Sequence, residues 1–248
     1  STGVTAVCES WNGSSWTEVN DMNTARNGFA GSGTSTSALG YMQDDPARSG
    51  KTESWDGTSW TELNDLNTAR RIVAGCGIET SALCVGGYTT ETIANNESWN
   101  GTSWTEVADL NQTKYFSGSG AGVSNTSALV FGGHSPFLNS TESWNGSSWT
   151  ELNNLNQGKY GIGGSGTQTA ALAAGGAIPP DANTANTELW NGTSWAEQNN
   201  LNTATSQMAS GGTTSAGFVA GGGYSPPTIA KTEEWTAPVT STVSFTVS

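Results

Sequence analysis

Glu53-Ser54-Trp55-Asp56-Gly57-Thr58-Ser59-Trp60-Thr61-Glu62 is one of five near-copies of the pattern E-x-W-(N/D)-G-(S/T)-S-W-(T/A)-E; the others span 9–18, 97–106, 142–151 and 188–197. The first Trp of each copy falls at Trp11, Trp55, Trp99, Trp144 and Trp190, with a truncated sixth at Trp235, at intervals of 44 to 46 residues. A fixed period of this length marks a repeat architecture in which neighbouring units share a core. The second Trp follows at Trp16, Trp60, Trp104, Trp149 and Trp195, so all 11 Trp belong to the repeat and none is left for a separate task.

The centre of the motif reads as a hairpin. Asn-Gly or Asp-Gly fits a two-residue turn that needs positive φ, which sets Trp11 opposite Ser14 and Glu9 opposite Trp16. Alternation along a strand puts Trp11, Trp16, Glu9 and Glu18 on one bulky face and Ser10, Ser15, Thr17 and Val19 on a small one. Stacked sheets, heavy face against light face, follow from that asymmetry. The ten paired indoles are expected to be structural.

The rest of each period supplies two more strands. A polar connection ends in Arg26, Arg70, Lys114 or Lys159, with Thr205 breaking the rule in the fifth copy. A Gly-rich strand follows (Gly75-Cys76-Gly77, Gly118-Ser119-Gly120). Next comes an apolar run such as Ala82-Leu83-Cys84-Val85 or Ala128-Leu129-Val130-Phe131. Short apolar runs bounded by Gly indicate strands buried on both faces, and no segment carries a helical period. The chain is all-β, with four antiparallel strands per repeat.

The apolar runs close on double glycines (Gly86-Gly87, Gly132-Gly133, Gly175-Gly176, Gly221-Gly222), with an aromatic and a Trp after them and a basic residue further on. In combination these motifs resemble the kelch repeat, which implies a propeller with one four-stranded blade per repeat, here five-bladed. The first copy departs, with Gly40-Tyr41-Met42 in place of the double glycine. The wording of the repeats also resembles kelch-like proteins of marine bacteriophages and environmental bacteria, which implies a virion or extracellular-surface location.

Residues 1–236 are assigned to the propeller and 237–248 to a C-terminal β tail with alternating Val243, Phe245 and Val247. The ring is expected to be closed by the N-terminal hairpin, residues 7–20, completing the blade begun by 204–222 and leaving 231–248 surplus. The competing closure has the tail finish the fifth blade.

A formal charge of −13, from 21 acidic and 8 basic residues, disfavours nucleic acid and anionic membrane surfaces. No apolar stretch is long enough for a membrane-spanning helix. Three cysteines make no complete disulfide framework, and Cys76 and Cys84 read as buried thiols. With one His, His134, and four Arg, the chain lacks the ligands of a copper-radical oxidase and the arginine cluster of a sialidase. Nucleophile elbows, phosphate loops and metal-ligand motifs are missing as well. No cofactor, metal or catalytic residue is expected. The recurring Glu pairs read as scaffold, because a catalytic site is normally built once. Sequons such as Asn12 and Asn100 lie inside the turns.

What differs between copies is the connection after the second strand: residues 42–50, 88–95, 134–140, 177–186 and 223–230. Constant scaffold with variable loops is how propellers present binding surfaces. The candidate binding residues are Asp44, Asp45, Arg48, Tyr88, His134, Phe137, Asp181 and Tyr224. The expected role is a non-enzymatic structural or binding module, such as a capsid decoration, tail or fibre protein. It would contact virion or surface proteins, other copies of itself or the host surface. The alternative is a carbohydrate-binding lectin propeller whose Trp and Asn residues meet host glycans.

Overall fold

The computed structural model describes residues 4–43, 48–115, 120–134, 137–223 and 230–237. All regular structure among them is β, arranged as five blades in a ring. Blade I comprises Ala30–Thr34, Ser37–Gln43, Ser49–Trp55 and Trp60–Glu62; blade II comprises Ala74–Ile78, Ser81–Tyr88, Thr92–Trp99 and Trp104–Val107. Blade III is Ala121–Ser124, Ser127–Phe131, Thr141–Trp144 and Trp149–Leu152, and blade IV is Gly163–Thr167, Ala170–Ala174, Thr187–Trp190 and Trp195–Glu197. Blade V shows three strands among the described residues, Ala209–Gly212, Ala216–Ala220 and Thr232–Thr236. Every pairing is antiparallel and sequential, and the first strands of blades I to V lie against one another in order around the axis.

The hairpin register differs from the two-residue turn expected. Trp11 pairs with Trp16, Ser10 with Thr17 and Glu9 with Glu18, so the loop holds four residues. Its cause is the side chain of the first loop residue. Asn12 Oδ1 accepts the backbone N–H of Ser14 and Ser15, both at 2.9 Å, and Gly13 takes φ +95°. Asp56, Asn100, Asn145 and Asn191 repeat the arrangement. An Asx side chain that satisfies two loop donors favours this wider turn over the two-residue one. Alternation survives the shift, and the two indoles now face one another directly, with ring centroids 5.2–5.4 Å apart.

These indoles form the seams. Trp99 and Trp104 of blade II pack on Leu39, Tyr41 and Met42 of blade I. Trp144 and Trp149 pack on Leu83 and Val85, and Trp190 and Trp195 on Leu129 and Phe131. Trp99, Trp144 and Trp190 are at most 1% exposed. In the third copy the first strand begins at Ala121, later than the Gly118-Ser119-Gly120 expected, and residues 116–119 lie outside the described set.

A buried ionic clamp accompanies each seam. The first Glu of the motif meets the basic residue of the preceding connection: Arg26 with Glu53, Arg70 with Glu97 at 2.6 Å, Lys114 with Glu142 at 2.9 Å and Lys159 with Glu188 at 3.2 Å. The other carboxylate oxygen accepts the backbone N–H of Asn23, Asn67, Asn111 or Asn156, at 2.7–2.9 Å. The carboxylate therefore pins the connecting segment as well as neutralising the cation. The second Glu of each motif is exposed. Burial pulls the Lys159 ammonium below its usual range, with Glu188 opposing that shift.

The double glycines let connections cross at close range. Gly86 and Gly87 take φ +61° and +114°, and a Cβ on Gly86 would sit 2.7 Å from the Lys114 carbonyl. Gly87 N–H donates to that same carbonyl at 2.9 Å. In blade I the register places Met42 and Gln43 at these positions, and Met42 carries φ +75°. That conformation is uncommon for a side-chain-bearing residue.

The N-terminal hairpin, Cys8–Trp11 with Trp16–Val19, does close the ring, but by packing rather than by pairing with Ala216–Ala220. That edge is already taken by Thr232–Thr236, so residues 232–236 are blade and not surplus. Trp16 Nε1 donates to Thr232 Oγ1 at 3.0 Å and Trp11 Nε1 to Glu234 Oε1 at 3.3 Å. On its other side, Asn20, directly after the hairpin, donates its Nδ2 to the Thr58 carbonyl of blade I at 2.6 Å. The hairpin thus stands at the seam between blades V and I as the outer half of a further blade. Elsewhere the first indole of the motif donates to the turn between its own blade's first two strands, as Trp55 does to the Ser35 carbonyl at 3.0 Å. No such strands flank the hairpin among the described residues, and Trp16 is 39% exposed.

Two outcomes follow from these contacts. Glu97→Gln leaves Arg70 buried without its counter-charge and is expected to cost about 3–5 kcal/mol of unfolding free energy. Glu106→Gln, on the exposed position, should change it by less than about 0.5 kcal/mol; equal shifts in urea unfolding would contradict the clamp. Deleting residues 1–20 should lower the melting temperature far more than deleting 239–248, and equal melting temperatures would reject closure by the hairpin.

Candidate functional site

Two residues per repeat are brought together on one face by the closure of the connections. One follows the buried cation directly; the other follows the double glycine. They meet as short antiparallel bridges, Arg71 with Tyr88, Tyr115 with His134 and Tyr160 with Ala177. The backbone hydrogen bonds of these bridges are 2.7–3.3 Å long. The three bridges, in blades II to IV, share one backbone pattern, while one side carries Arg71, Tyr115 and Tyr160 and the other Tyr88, His134 and Ala177.

Side by side, they make a ribbon across blades II to IV. Tyr88 and Tyr115 stack edge to face at 5.6 Å, and Tyr115 meets His134 at 4.9 Å. His134 stands perpendicular to Tyr160 at 4.9 Å, with Phe137 at 5.4 Å from both rings. One end is cationic: the Arg71 guanidinium lies 4.9 Å from the centre of the Tyr88 ring and that of Arg48 lies 6.0 Å from it. Arg48 also donates to the Thr89 carbonyl. The other end is anionic, where the Tyr160 hydroxyl donates to Asp181 Oδ1 at 2.8 Å. Partial burial and that hydrogen bond push the Tyr160 phenol up to about 12, so it stays a neutral donor at physiological pH. The five rings are half-buried, so part of each remains open to a partner.

Of the candidate binding residues, the structure gathers Arg48, Tyr88, His134, Phe137 and Asp181 into this ribbon. Asp44, Asp45 and Tyr224 lie outside the described residues. Sequence reasoning missed Arg71, Tyr115 and Tyr160. Their signal was available, since each directly follows the recurring cation and the residue there changes from copy to copy. Loop variability pointed to one half of each bridge and overlooked the other.

An arrangement of this kind stacks, hydrogen-bonds and pairs charges. Among the described residues no group of three or more His, Cys, Asp or Glu is placed to hold a metal ion. Burial pushes the Cys76 and Cys84 thiols up to about 12 and 11, and Cys84 also lies near Arg70 and Glu97. Both sit inside the core. Comparison with protein-family models and with curated proteins finds no match, so the reading of function rests on the site itself.

Proposed function

We propose that the chain is a non-enzymatic binding module whose aromatic ribbon is its docking face. The observation that carries this is the contrast between bridges and side chains. Backbone geometry repeats in blades II to IV, while the side chains it carries vary, with Arg71, Tyr115 and Tyr160 on one side of the bridges and Tyr88, His134 and Ala177 on the other, and their rings form one continuous surface. Aromatic and Arg side chains dominate binding energy at protein interfaces. A ribbon with guanidinium groups at one end and a carboxylate at the other also imposes an orientation on its partner.

The kelch-like wording of the repeats and its resemblance to phage and environmental bacterial proteins favour a partner on a virion or cell surface. Such a partner is a capsid, tail or envelope protein, or another copy of the chain. The carbohydrate-binding alternative loses its first support, because most of the Trp pairs are sealed between blades. It keeps a second, since Tyr88, Tyr115 and Tyr160 offer half-open rings of the type that stack on sugars.

Site-specific photo-crosslinking on the intact particle or envelope carrying the chain separates these readings. A crosslinker at position 115 is expected to capture a protein that the same group at the exposed position 150 does not. Equal capture at both positions would contradict the ribbon as docking face. Binding on a glycan array that is lost in a Tyr115→Ala/Tyr160→Ala chain would replace the protein partner with a sugar.

A further inference from the structure

The N-terminal hairpin meets its neighbours as a complete blade does. Towards blade V, Trp16 Nε1 donates to Thr232 Oγ1 at 3.0 Å, as Trp104 does to Thr52 and Trp195 to Thr141 between complete blades. Towards blade I, Asn20 Nδ2 donates to the Thr58 carbonyl, as Asn64 does to that of Thr102 and Asn153 to that of Thr193. The inner side is different. In blades I to IV the third strand pairs with an apolar second strand, but among the described residues its equivalent, Cys8–Trp11, pairs with Trp16–Val19 alone. First strands of successive blades lie together from I to V, and no comparable contact joins Ala209–Gly212 of blade V to Ala30–Thr34 of blade I.

The walls of the resulting cleft are uncovered. Ala38 of blade I is half-buried, whereas Ala82, Ala128 and Ala171, which also pair with the first indole of their motif, are fully buried. A Cβ on Gly75 would lie 3.0 Å from Ala30 Cβ of the preceding blade, and one on Gly120 would lie 3.2 Å from Cys76 Cβ; on Gly31 it would meet only its own blade, at the Leu39 carbonyl. On the opposite wall Phe218 and Ala220 are half-buried, whereas Leu83 and Val85, at the same register positions, are fully buried.

Glu9 marks the charge that belongs there. Its counterparts Glu53, Glu97, Glu142 and Glu188 are buried on a cation, while Glu9 is exposed and meets none among the described residues. In blades I, II and IV the cation stands four residues ahead of that blade's first strand: Arg26 before Ala30, Arg70 before Ala74, Lys159 before Gly163.

We propose that the cleft between blades V and I is a docking site for a β-hairpin of a partner protein, separate from the aromatic ribbon on blades II to IV. One partner strand adds to the Cys8–Trp11 edge through main-chain hydrogen bonds. Its small aliphatic side chains cover Ala38 on one wall and Phe218 and Ala220 on the other. A Lys or Arg four residues ahead of the hairpin reaches Glu9. Edge, walls and carboxylate together select a basic-then-aliphatic hairpin over an acidic one. The inner hairpins of this chain have that form and supply the probe.

A fluorescein-labelled peptide of residues 159–174 added to the intact chain tests the assignment. Anisotropy should saturate at one peptide per chain, with amide exchange slowed across residues 8–11. Glu9→Gln is expected to weaken that peptide by about tenfold or more, yet to leave a Lys159→Gln peptide nearly unaffected, because the cycle isolates the charge pair. Ala38→Glu should remove binding in a chain whose circular dichroism is unchanged. Absence of saturable binding, or equal affinity for the parent, Glu9→Gln and Ala38→Glu chains, would overturn the proposal. So would a dimer of the chain alone that Ala38→Glu disperses, since the cleft would then belong to a second copy.

Discussion

Blades II, III and IV are each held to the one before by a pair of facing indoles, and the ring depends on that contact repeating. A single four-stranded sheet of this sequence cannot bury two tryptophans, a leucine and a valine on opposite faces by itself. Placed in a series, each heavy face finds the light face of its predecessor. Burying an indole removes roughly 150–250 Å² from water, about 4–6 kcal/mol at ~25 cal/mol per Å² as an upper bound. The core is therefore made at interfaces between units, and a propeller unit outside its ring has little to fold around.

The ionic clamp serves a different end. A buried ion pair contributes little net stability, because desolvation offsets the Coulomb gain. Its value here lies in the second carboxylate oxygen, which binds the backbone of the connecting segment. Fixing that segment sets where the next residue points, and the next residue is Arg71, Tyr115 or Tyr160. The scaffold carboxylates and the candidate docking face are thus coupled through a short backbone stretch, Asn67 to Arg71, Asn111 to Tyr115 and Asn156 to Tyr160, whose second-last residue is the clamped cation. The fifth copy shows the converse: with Thr205 in place of the cation, its bridge partners are Ser206 and Gly223, joined by a 2.9 Å backbone hydrogen bond, and they add no aromatic to the ribbon.

Much of this was legible before any coordinates. Period, strand composition and the two-faced hairpin carried the fold, because sequence-local rules on alternation and turn residues act there. The hairpin register was misjudged because Asn12 and Asp56 use their side chains as well as their positive-φ neighbours, and a dipeptide rule does not see the two extra loop donors. The pairing partner of the third strand in blade V was misjudged for another reason. Residues 9–18 and 232–236 both match the repeat, and only the three-dimensional path shows which one reaches Ala216–Ala220. Half of the ribbon was found from loop variability. The other half sits next to the most constant cation of the repeat and was hidden by that constancy.

Hydroxyl-radical footprinting of the eleven indoles in the native protein tests the seam contacts most directly. Oxidation should concentrate on Trp11 and Trp16, with Trp99, Trp144 and Trp190 protected until the chain unfolds. Uniform oxidation of all eleven in the folded protein would mean that the indoles do not lie between blades, and neither the ring nor the face it presents would stand.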